Sequence, residues 1–129
     1  MLKDMSDSLE RLYDAVCASR GKDPAVSRTA RLLKAGPRKI AKKVAEEAAE
    51  VALEAVTGRR DEAIQESADL LYHLVVLWVE AGVSVREVWN EMDRRERLLG
   101  IAEKLPKTRA IHAVQSTLPL APKRPRRAR

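Results

Sequence analysis

The stretch Lys39–His73, KIAKKVAEEAAEVALEAVTGRRDEAIQESADLLYH, decides the fold of this chain. Two segments with helical periodicity flank a short break at Gly58. The first segment carries an apolar stripe at helical spacing, made of Ile40, Val44, Ala48, Val51 and Ala55. The second segment is apolar around most of its circumference between Leu70 and Val79, as is typical of a buried helix. The pattern predicts an antiparallel helix pair at the centre of an all-α helical bundle.

Both predicted helices also carry acidic side chains at helical spacing. The first has Glu46, Glu47 and Glu50, and the second has Glu66 and Asp69. Antiparallel packing would bring these two groups together, and two carboxylates at ~5 Å repel by roughly 3 kcal/mol at an effective dielectric constant near 20. A divalent cation removes that penalty, and a set of oxygen ligands favours Mg²⁺ or Mn²⁺ over zinc. We therefore predict that these carboxylates bind a metal ion that holds a polyphosphate.

Basic residues precede the acidic ones on the first helix. Lys39 and Lys43 lie one turn apart, and Lys43 lies one turn before Glu47, so both lysines are candidates for phosphate contacts. His73 lies in the polar arc of the second helix and is a third candidate for contact with a substrate. The alternative is a solvated helix face with weak i,i+4 ion pairs and a histidine that only packs, and spacing alone leaves both interpretations open.

The remaining sequence predicts three further helices and a tail. The predicted helices span 8–19, 25–34, 37–57, 61–81 and 85–99. Asp7 and Asp61 are expected to cap two of them, and Ser84 with Glu87 forms a capping box for the last. We expect one domain over residues 7–105 and a disordered, basic, Pro-rich tail over residues 106–129.

The net charge of +6 belongs to the tail rather than to the folded part. Residues 117–129 contain five basic side chains and no acidic one, so the preceding residues carry only about +1. Such a tail suggests a function of another class, a non-enzymatic helical dimer that binds nucleic acid through residues 117–129. The single cysteine fits a cytoplasmic protein, and no apolar run is long enough to span a membrane.

Two acidic motifs resemble a known group of enzymes. Glu46-Glu47-x-x-Glu50 followed by Glu66-x-x-Asp69 is similar to the pattern of the MazG-like all-α nucleoside triphosphate pyrophosphohydrolases. The segments KVAEEAAEV at 43–51 and ADLLYHL at 68–74 look more specifically like the phosphoribosyl-ATP pyrophosphatase family. This resemblance extends over about residues 8–104.

The resemblance implies a reaction, a cofactor and an assembly. The reaction would be Mg²⁺-dependent hydrolysis of phosphoribosyl-ATP to phosphoribosyl-AMP and pyrophosphate in histidine biosynthesis. The fold would be a helical bundle completed by a second subunit, giving a homodimer. The implied metal ligands are Glu46, Glu47, Glu50, Glu66 and Asp69, of which the last four would also be catalytic. Lys39, Lys43 and His73 would contact the substrate.

Two positions depart from the family pattern. Ala45 stands where the family usually has Gly, and Arg28 stands where an aromatic residue is common. Both departures could affect recognition of the base or the ribose. The second hypothesis within the same class is therefore a house-cleaning pyrophosphohydrolase that acts on another nucleoside triphosphate.

Overall fold

The structure is a computed structural model and describes residues 8–100. Within this range the chain forms five α-helices and no strand, which confirms the all-α prediction. The helices are α1 (Ser8–Ala18), α2 (Arg28–Ala35), α3 (Pro37–Val56), α4 (Arg60–Ala81) and α5 (Val85–Leu99). The predicted Asp7 cap and the predicted tail at 106–129 lie outside the described residues.

The central helices begin and end close to the predicted positions. Pro37 occupies the first turn of α3, where its missing N–H group removes no helical hydrogen bond. Gly58 follows α3 with a φ of 77°, and Gly82 ends α4 in the left-handed conformation with a φ of 71°. Glycine adopts this conformation without the steric penalty of a Cβ atom. The two helices are thus bounded by residues that the sequence already marks.

The predicted start of α2 is wrong by three residues. The segment after Asp23 forms a turn, in which the Asp23 carboxylate accepts a hydrogen bond from the Ala25 N–H group at 2.9 Å. The helix begins only at Arg28, after Ser27. The Ser27 hydroxyl accepts a hydrogen bond from the Ala30 N–H group at 3.1 Å, so Ser27 is the cap that the prediction overlooked.

The other two capping predictions have opposite outcomes. Asp61 does not cap α4, because the helix begins at Arg60 and Asp61 lies inside its first turn. Ser84 and Glu87 form the predicted capping box before α5: Glu87 accepts from the Ser84 N–H group at 2.8 Å, and Ser84 accepts from the Glu87 N–H group at 3.1 Å. The hydrogen bond from the Ser84 backbone lowers the pKa of Glu87.

The core lies around the hairpin of α3 and α4, which make the most extensive helix contact in the described part of the chain. Helix α1 packs on α4, and α2 packs on both α3 and α4. The buried apolar residues in contact with one another are Val16, Leu32, Ile40, Val75, Val76 and Val79. This packing fixes α3 against α4 and so fixes the relative positions of their polar side chains.

Part of the apolar surface of the hairpin is not covered within one chain. Ala48 and Ala55, which the stripe on α3 placed in the core, are exposed. Larger apolar side chains are exposed as well: Leu53 and Val56 on α3, and Ile64 and Leu71 on α4. The apolar stripe of α3 therefore covers more of the helix than a single chain buries.

The chain divides into two compact units, Met1–Trp89 and Asn90–Arg129. The first contains α1 to α4 and the core. In the described part of the second, Glu91 accepts hydrogen bonds from Arg94 at 2.9 Å and Arg95 at 3.0 Å, which lower the pKa of Glu91 to about 2.

Between residues 8 and 100, no single helix is long and apolar enough to cross a membrane. Only α4 and α5 taken together, across the bend between them, reach that length and composition.

The core packing predicts a clear difference between two valines. Val76 is 0% exposed and Val26 is 86% exposed. We expect Val76→Ala to lower the free energy of unfolding by about 2 kcal/mol, because two buried methyl groups are lost and a cavity is left. Val26→Ala, the same change at an exposed position, should shift it by less than about 0.5 kcal/mol. Urea unfolding followed by circular dichroism measures both, and equal effects would contradict the packing described here.

Candidate active site

Three acidic side chains from α3 and α4 converge at one point. Glu47 on α3 and Glu66 and Asp69 on α4 each place a carboxylate oxygen within 4.8 Å of those of the other two. Glu66 and Asp69 are three residues apart, so they project from the same side of α4. The α3–α4 packing then supplies Glu47 from the facing helix. The structure therefore brings together three of the five carboxylates that the sequence predicted as metal ligands.

Glu50 extends this group by one more carboxyl. Its hydrogen bond with Glu66, followed by the negative charge of Glu66, raises the pKa of Glu50. The hydrogen bond with Glu47 in turn raises the pKa of Glu66, and burial and the charges of Glu47 and Asp69 act in the same direction. We call Glu47, Glu50, Glu66 and Asp69 the carboxylate cluster. Its members are close enough that they favour the uptake of a proton or a cation.

Glu46 does not join the carboxylate cluster. Its carboxylate is 3.8 Å from the Lys42 ammonium group, although its charge also acts to raise the pKa of Glu50. Its side chain is about half exposed. Glu46 instead lies at the edge of a cavity of about 400 Å³ that is lined by Arg38, Lys39, Lys42, Lys43 and Glu46. We call this cavity the basic pocket.

The basic pocket contains both lysines that the sequence predicted as phosphate contacts, together with Arg38, which it did not. A signal for Arg38 was present, because Arg38 precedes Lys42 by one helical turn just as Lys39 precedes Lys43. Of the cations in the basic pocket, Lys43 acts on the carboxylate cluster: its positive charge acts to lower the pKa of Glu50. The charged side chains of α3 thus change from basic near its start to acidic near its middle.

His73 lies beneath the carboxylate cluster and is 0% exposed. Its Nδ1 atom is 2.9 Å from the backbone oxygen of Asp69 and 3.5 Å from a carboxylate oxygen of Glu47. Because a carbonyl oxygen only accepts, Nδ1 carries the proton and donates it. Burial lowers the pKa of His73, which favours the neutral form of the ring. The Nε2 atom is buried and has no hydrogen-bond partner among residues 8–100.

A second polar contact joins α2 to α4 beside the site. The hydroxyl groups of Thr29 and Tyr72 are 2.6 Å apart. The Arg28 guanidinium lies 5.7 Å from the centre of the Tyr72 ring, within the range of a cation–π contact. Arg28, one of the two residues expected to depart from the family pattern, therefore packs on Tyr72. Tyr72 is half-buried and tied to α2.

The remaining acidic residues of α4 have other surroundings. Glu80 forms an ion pair with Arg20 at 3.1 Å, which links α4 to the end of α1. Glu62 is exposed near the start of α4. A helical wheel places both in the same arc as Glu66, yet neither belongs to the group of three converging oxygens.

Comparison with known proteins identifies the family of this chain. The sequence profile described as Phosphoribosyl-ATP pyrophosphohydrolase matches residues 9–96. The chain belongs to the phosphoribosyl-ATP pyrophosphohydrolase family. It is 65% identical over 104 residues to phosphoribosyl-ATP pyrophosphatase 2 of Bradyrhizobium diazoefficiens, covering 81% of this chain and 78% of that protein. It is also 65% identical over 105 residues to phosphoribosyl-ATP pyrophosphatase 2 of Rhodopseudomonas palustris, covering 81% of this chain and 80% of that protein.

A third relative is more distant. The phosphoribosyl-ATP pyrophosphatase of Gluconobacter oxydans is 58% identical over 96 residues, 74% of this chain and 72% of that protein. The matched range 9–96 contains the whole carboxylate cluster, the basic pocket and His73. As a member of the phosphoribosyl-ATP pyrophosphohydrolase family, the chain is a hydrolase of a pyrophosphate bond.

Proposed function

We propose that this protein hydrolyses phosphoribosyl-ATP to phosphoribosyl-AMP and pyrophosphate, a step of histidine biosynthesis, in a Mg²⁺-dependent reaction at the carboxylate cluster. The observation that carries the proposal is the convergence of Glu47, Glu66 and Asp69 within 4.8 Å in a chain of this family. Water adds to phosphorus, the anhydride bond between the α and β phosphates breaks, and pyrophosphate leaves.

The carboxylate cluster fits a hard divalent cation. All of its ligand atoms are oxygens, which suits Mg²⁺ or Mn²⁺ better than zinc. Hydrogen bonds between these carboxyl groups, followed by their mutual charge repulsion, raise the pKa of Glu66 and of Glu50, and this supports a site that takes up a cation. When bound, the metal would neutralise phosphate charge and lower the pKa of a coordinated water. Glu47, Glu66 and Asp69 would hold it, with Glu50 beside them.

The side chains of the chain itself then have separate tasks. Glu50 hydrogen-bonds Glu66 but lies outside the group of three converging oxygens. It is therefore the carboxylate we assign to orient the attacking water and accept its proton. Lys43, whose positive charge reaches Glu50, would contact the phosphates nearest the metal. Glu46 is turned toward Lys42, and we propose no metal ligation for it.

His73 is proposed as a positioning residue rather than a direct substrate contact. Since it is fully buried, its ring does not face a solvent-filled cleft. Its Nδ1–H group holds the Asp69 backbone and lies next to the Glu47 carboxylate, so it supports one ligand on each helix. Side chains that hold metal ligands in place typically contribute 10- to 100-fold in metal affinity or activity, by general experience with metal sites.

This role predicts that one substitution of His73 weakens Mg²⁺ binding and that a second substitution, which keeps a hydrogen-bond donor, restores it. We expect His73→Leu to weaken Mg²⁺ binding by about 10-fold or more, because the hydrogen bond that supports the ligands is lost. His73→Asn, whose amide nitrogen can replace Nδ1 as donor, should recover most of the affinity. Isothermal titration with Mg²⁺ measures both variants, and circular dichroism checks the fold. Equal affinities for His73→Leu, His73→Asn and wild type would rule the positioning role out.

We propose that the active protein is a homodimer. The apolar residues Leu53, Val56, Ile64 and Leu71 are exposed in the single chain, and a chain of 14.4 kDa has a small core. Exposed apolar stripes on two neighbouring helices are typical of surfaces that another subunit covers. A symmetric pair of such hairpins would bury each stripe against its copy.

The competing substrate hypothesis is another nucleoside triphosphate. Arg28, which packs on Tyr72, is the feature that would favour it, because the family resemblance leads us to expect an aromatic residue at position 28. A competition assay decides: pyrophosphate release is measured from an equimolar mixture of phosphoribosyl-ATP, ATP and deoxynucleoside triphosphates, with and without Mg²⁺. We expect phosphoribosyl-ATP to be consumed first and only with metal. Preferred consumption of another nucleotide would keep the site and replace the substrate.

The remaining predictions concern the tail and the compartment. Residues 106–129 lie outside the described residues, so their disorder and any contact of 117–129 with nucleic acid stay predictions. A phosphorylated nucleotide substrate and the single free cysteine, Cys17, support a cytoplasmic location. Removing residues 117–129 should leave pyrophosphate release intact if the tail is accessory.

A further inference from the structure

The basic pocket is a second charged site on α3, next to the carboxylate cluster but distinct from it. It has about 400 Å³ of space, and every lining residue is charged: four cations and one carboxylate. Its net charge is therefore about +3 at pH 7. The excess of positive charge suits a small ligand with more than one negative charge.

The cations of the basic pocket are available to such a ligand. Within residues 8–100, the only carboxylate at ion-pair distance from any of them is Glu46, at 3.8 Å from Lys42. That contact joins two exposed side chains one turn apart, a weak type of pair. The start of α3 adds the positive end of the helix dipole, and no side chain caps it. Arg38 and Lys39 are thus available for a ligand.

The carboxylate cluster does not account for all of these cations. Lys43 acts on Glu50 and on His73, so it belongs electrostatically with the cluster. Arg38 and Lys39 lie in the first turn of α3, two turns or more before Glu47. At ~1.5 Å per residue, the eleven positions from Lys39 to Glu50 correspond to about 16 Å along the helix axis. The basic pocket and a metal ion at the carboxylate cluster can therefore bind two different anionic groups of one ligand.

The proposed substrate has two anionic ends of this kind. Phosphoribosyl-ATP carries a triphosphate on one ribose and a single phosphate monoester on the other, joined through the adenine. We propose that the basic pocket binds the phosphate monoester of the phosphoribosyl group while the carboxylate cluster holds the triphosphate end. This inference rests on the proposed function, and it names the feature that distinguishes phosphoribosyl-ATP from an ordinary nucleoside triphosphate.

Within the basic pocket, Arg38 and Lys39 carry the main contacts. A guanidinium group can bind two oxygens of one phosphate, whereas an ammonium group acts as a point charge. Arg38 would fix the orientation of the phosphate, and Lys39 would add charge. Lys42 is shared with Glu46, and Lys43 lies between the two sites, so we assign them smaller and less selective effects.

The two reaction products, pyrophosphate and phosphoribosyl-AMP, divide the substrate in a way that tests this assignment, and AMP serves as a reference ligand that lacks the phosphoribosyl group. Pyrophosphate retains only the outer phosphates, and of these three ligands only phosphoribosyl-AMP retains the second phosphate. Dissociation constants of the three are measured by isothermal titration in the presence of Mg²⁺, for wild type, Arg38→Gln, Lys39→Gln and Arg60→Gln. Arg60 is exposed at the start of α4 and lines neither site, so its variant controls for the loss of one positive charge.

We expect Arg38→Gln and Lys39→Gln each to weaken phosphoribosyl-AMP binding by about 10-fold or more, since each loses a charge-assisted hydrogen bond. Binding of AMP and of pyrophosphate should change by less than about two-fold, as in the Arg60→Gln control. Equal weakening of pyrophosphate would assign the pocket to the outer phosphates and overturn the proposal. Equal weakening of AMP, or no change for any ligand, would overturn it as well.

Steady-state kinetics separate this proposal from the proposed function. If wild type releases pyrophosphate from phosphoribosyl-ATP and the KM of Arg38→Gln is unaltered, only the second-phosphate site fails. If wild type releases none from phosphoribosyl-ATP but cleaves another nucleotide, the proposed function itself fails. A KM for phosphoribosyl-ATP that rises about 10-fold in Arg38→Gln supports both.

Discussion

Replacing Glu47 with Gln will reduce kcat for Mg²⁺-dependent release of pyrophosphate from phosphoribosyl-ATP by about 10²- to 10³-fold. Glu47 is the one member of the three converging carboxylates that α3 supplies. Gln keeps its shape but removes the negative charge that binds a cation. A hundred-fold loss corresponds to about 2.7 kcal/mol of transition-state stabilisation. A coupled phosphate assay at saturating substrate and several Mg²⁺ concentrations measures the change.

Metal binding distinguishes this loss from a folding defect. At about 100 times its dissociation constant, Mg²⁺ should stabilise wild type by about 2.7 kcal/mol through mass action. Glu47→Gln should lose this stabilisation, because it lacks one of the three converging ligands. Without metal, the variant should be at least as stable as wild type, since one repelling charge is gone. Thermal unfolding with Mg²⁺ and with EDTA measures both quantities.

Glu62→Gln is the matched control for Glu47→Gln. Glu62 is an exposed glutamate on α4, one turn before Glu66, and it lies outside the carboxylate cluster. Its variant should keep both pyrophosphate release and Mg²⁺ stabilisation. Full activity in Glu47→Gln would show that the cluster is not the catalytic site. Equal losses in both variants would show only that the acidic surface of the hairpin matters as a whole.

The sequence predicted the central hairpin well because its limits are local. Pro37, Gly58 and Gly82 act through their own backbone conformations, so the helices they bound can be read without tertiary information. The start of α2 was missed because Asp23-Pro24 can serve either as a turn or as a helix start. The Ser27 hydroxyl decides in favour of the turn, and it does so through a hydrogen bond to Ala30.

The sequence predicted which carboxylates form the cluster, but not which of the neighbouring polar side chains are buried or ion-paired. Helical spacing placed Glu66, Asp69, His73 and Glu80 in one arc of α4. Periodicity identifies the side of the helix on which a residue lies, and nothing about what packs against that side. It could not show that His73 is buried or that Glu80 pairs with Arg20, because both depend on how α1 and α3 lie against α4. Glu46 and Glu47 are adjacent in sequence but have different surroundings, because only Glu47 meets Glu66 and Asp69 of α4.

Periodicity also cannot tell which apolar surface a second chain will cover. Ala48 and Ala55 lie in the apolar stripe of α3 and are nonetheless exposed. A stripe that is wider than the surface its own chain buries meets either solvent or another subunit. Hydrophobic burial favours the second outcome, since each Å² of apolar surface removed from water contributes about 25 cal/mol.

Placing a glutamate at Leu53 should therefore convert a homodimer to a monomer. Leu53 is 65% exposed in the single chain and is one of the large apolar side chains of the α3–α4 hairpin that the chain leaves uncovered. In a dimer that covers these side chains, an introduced carboxylate would be buried without a partner, which costs several kcal/mol. We expect the dimer dissociation constant to rise by at least about 100-fold. Sedimentation across a dilution series should then show the 14.4 kDa chain where wild type shows twice that mass.

Two valines provide a control that is matched in residue type and exposure. Val56 and Val26 are both 86% exposed, but only Val56 belongs to the exposed apolar side chains of the α3–α4 hairpin. If those side chains form the dimer interface, Val56→Glu weakens association and Val26→Glu does not. Dimers of unaltered affinity in all three variants would place the interface elsewhere. A wild type that sediments as a monomer at every concentration would contradict the dimer itself, and the apolar stripe would then need a different partner.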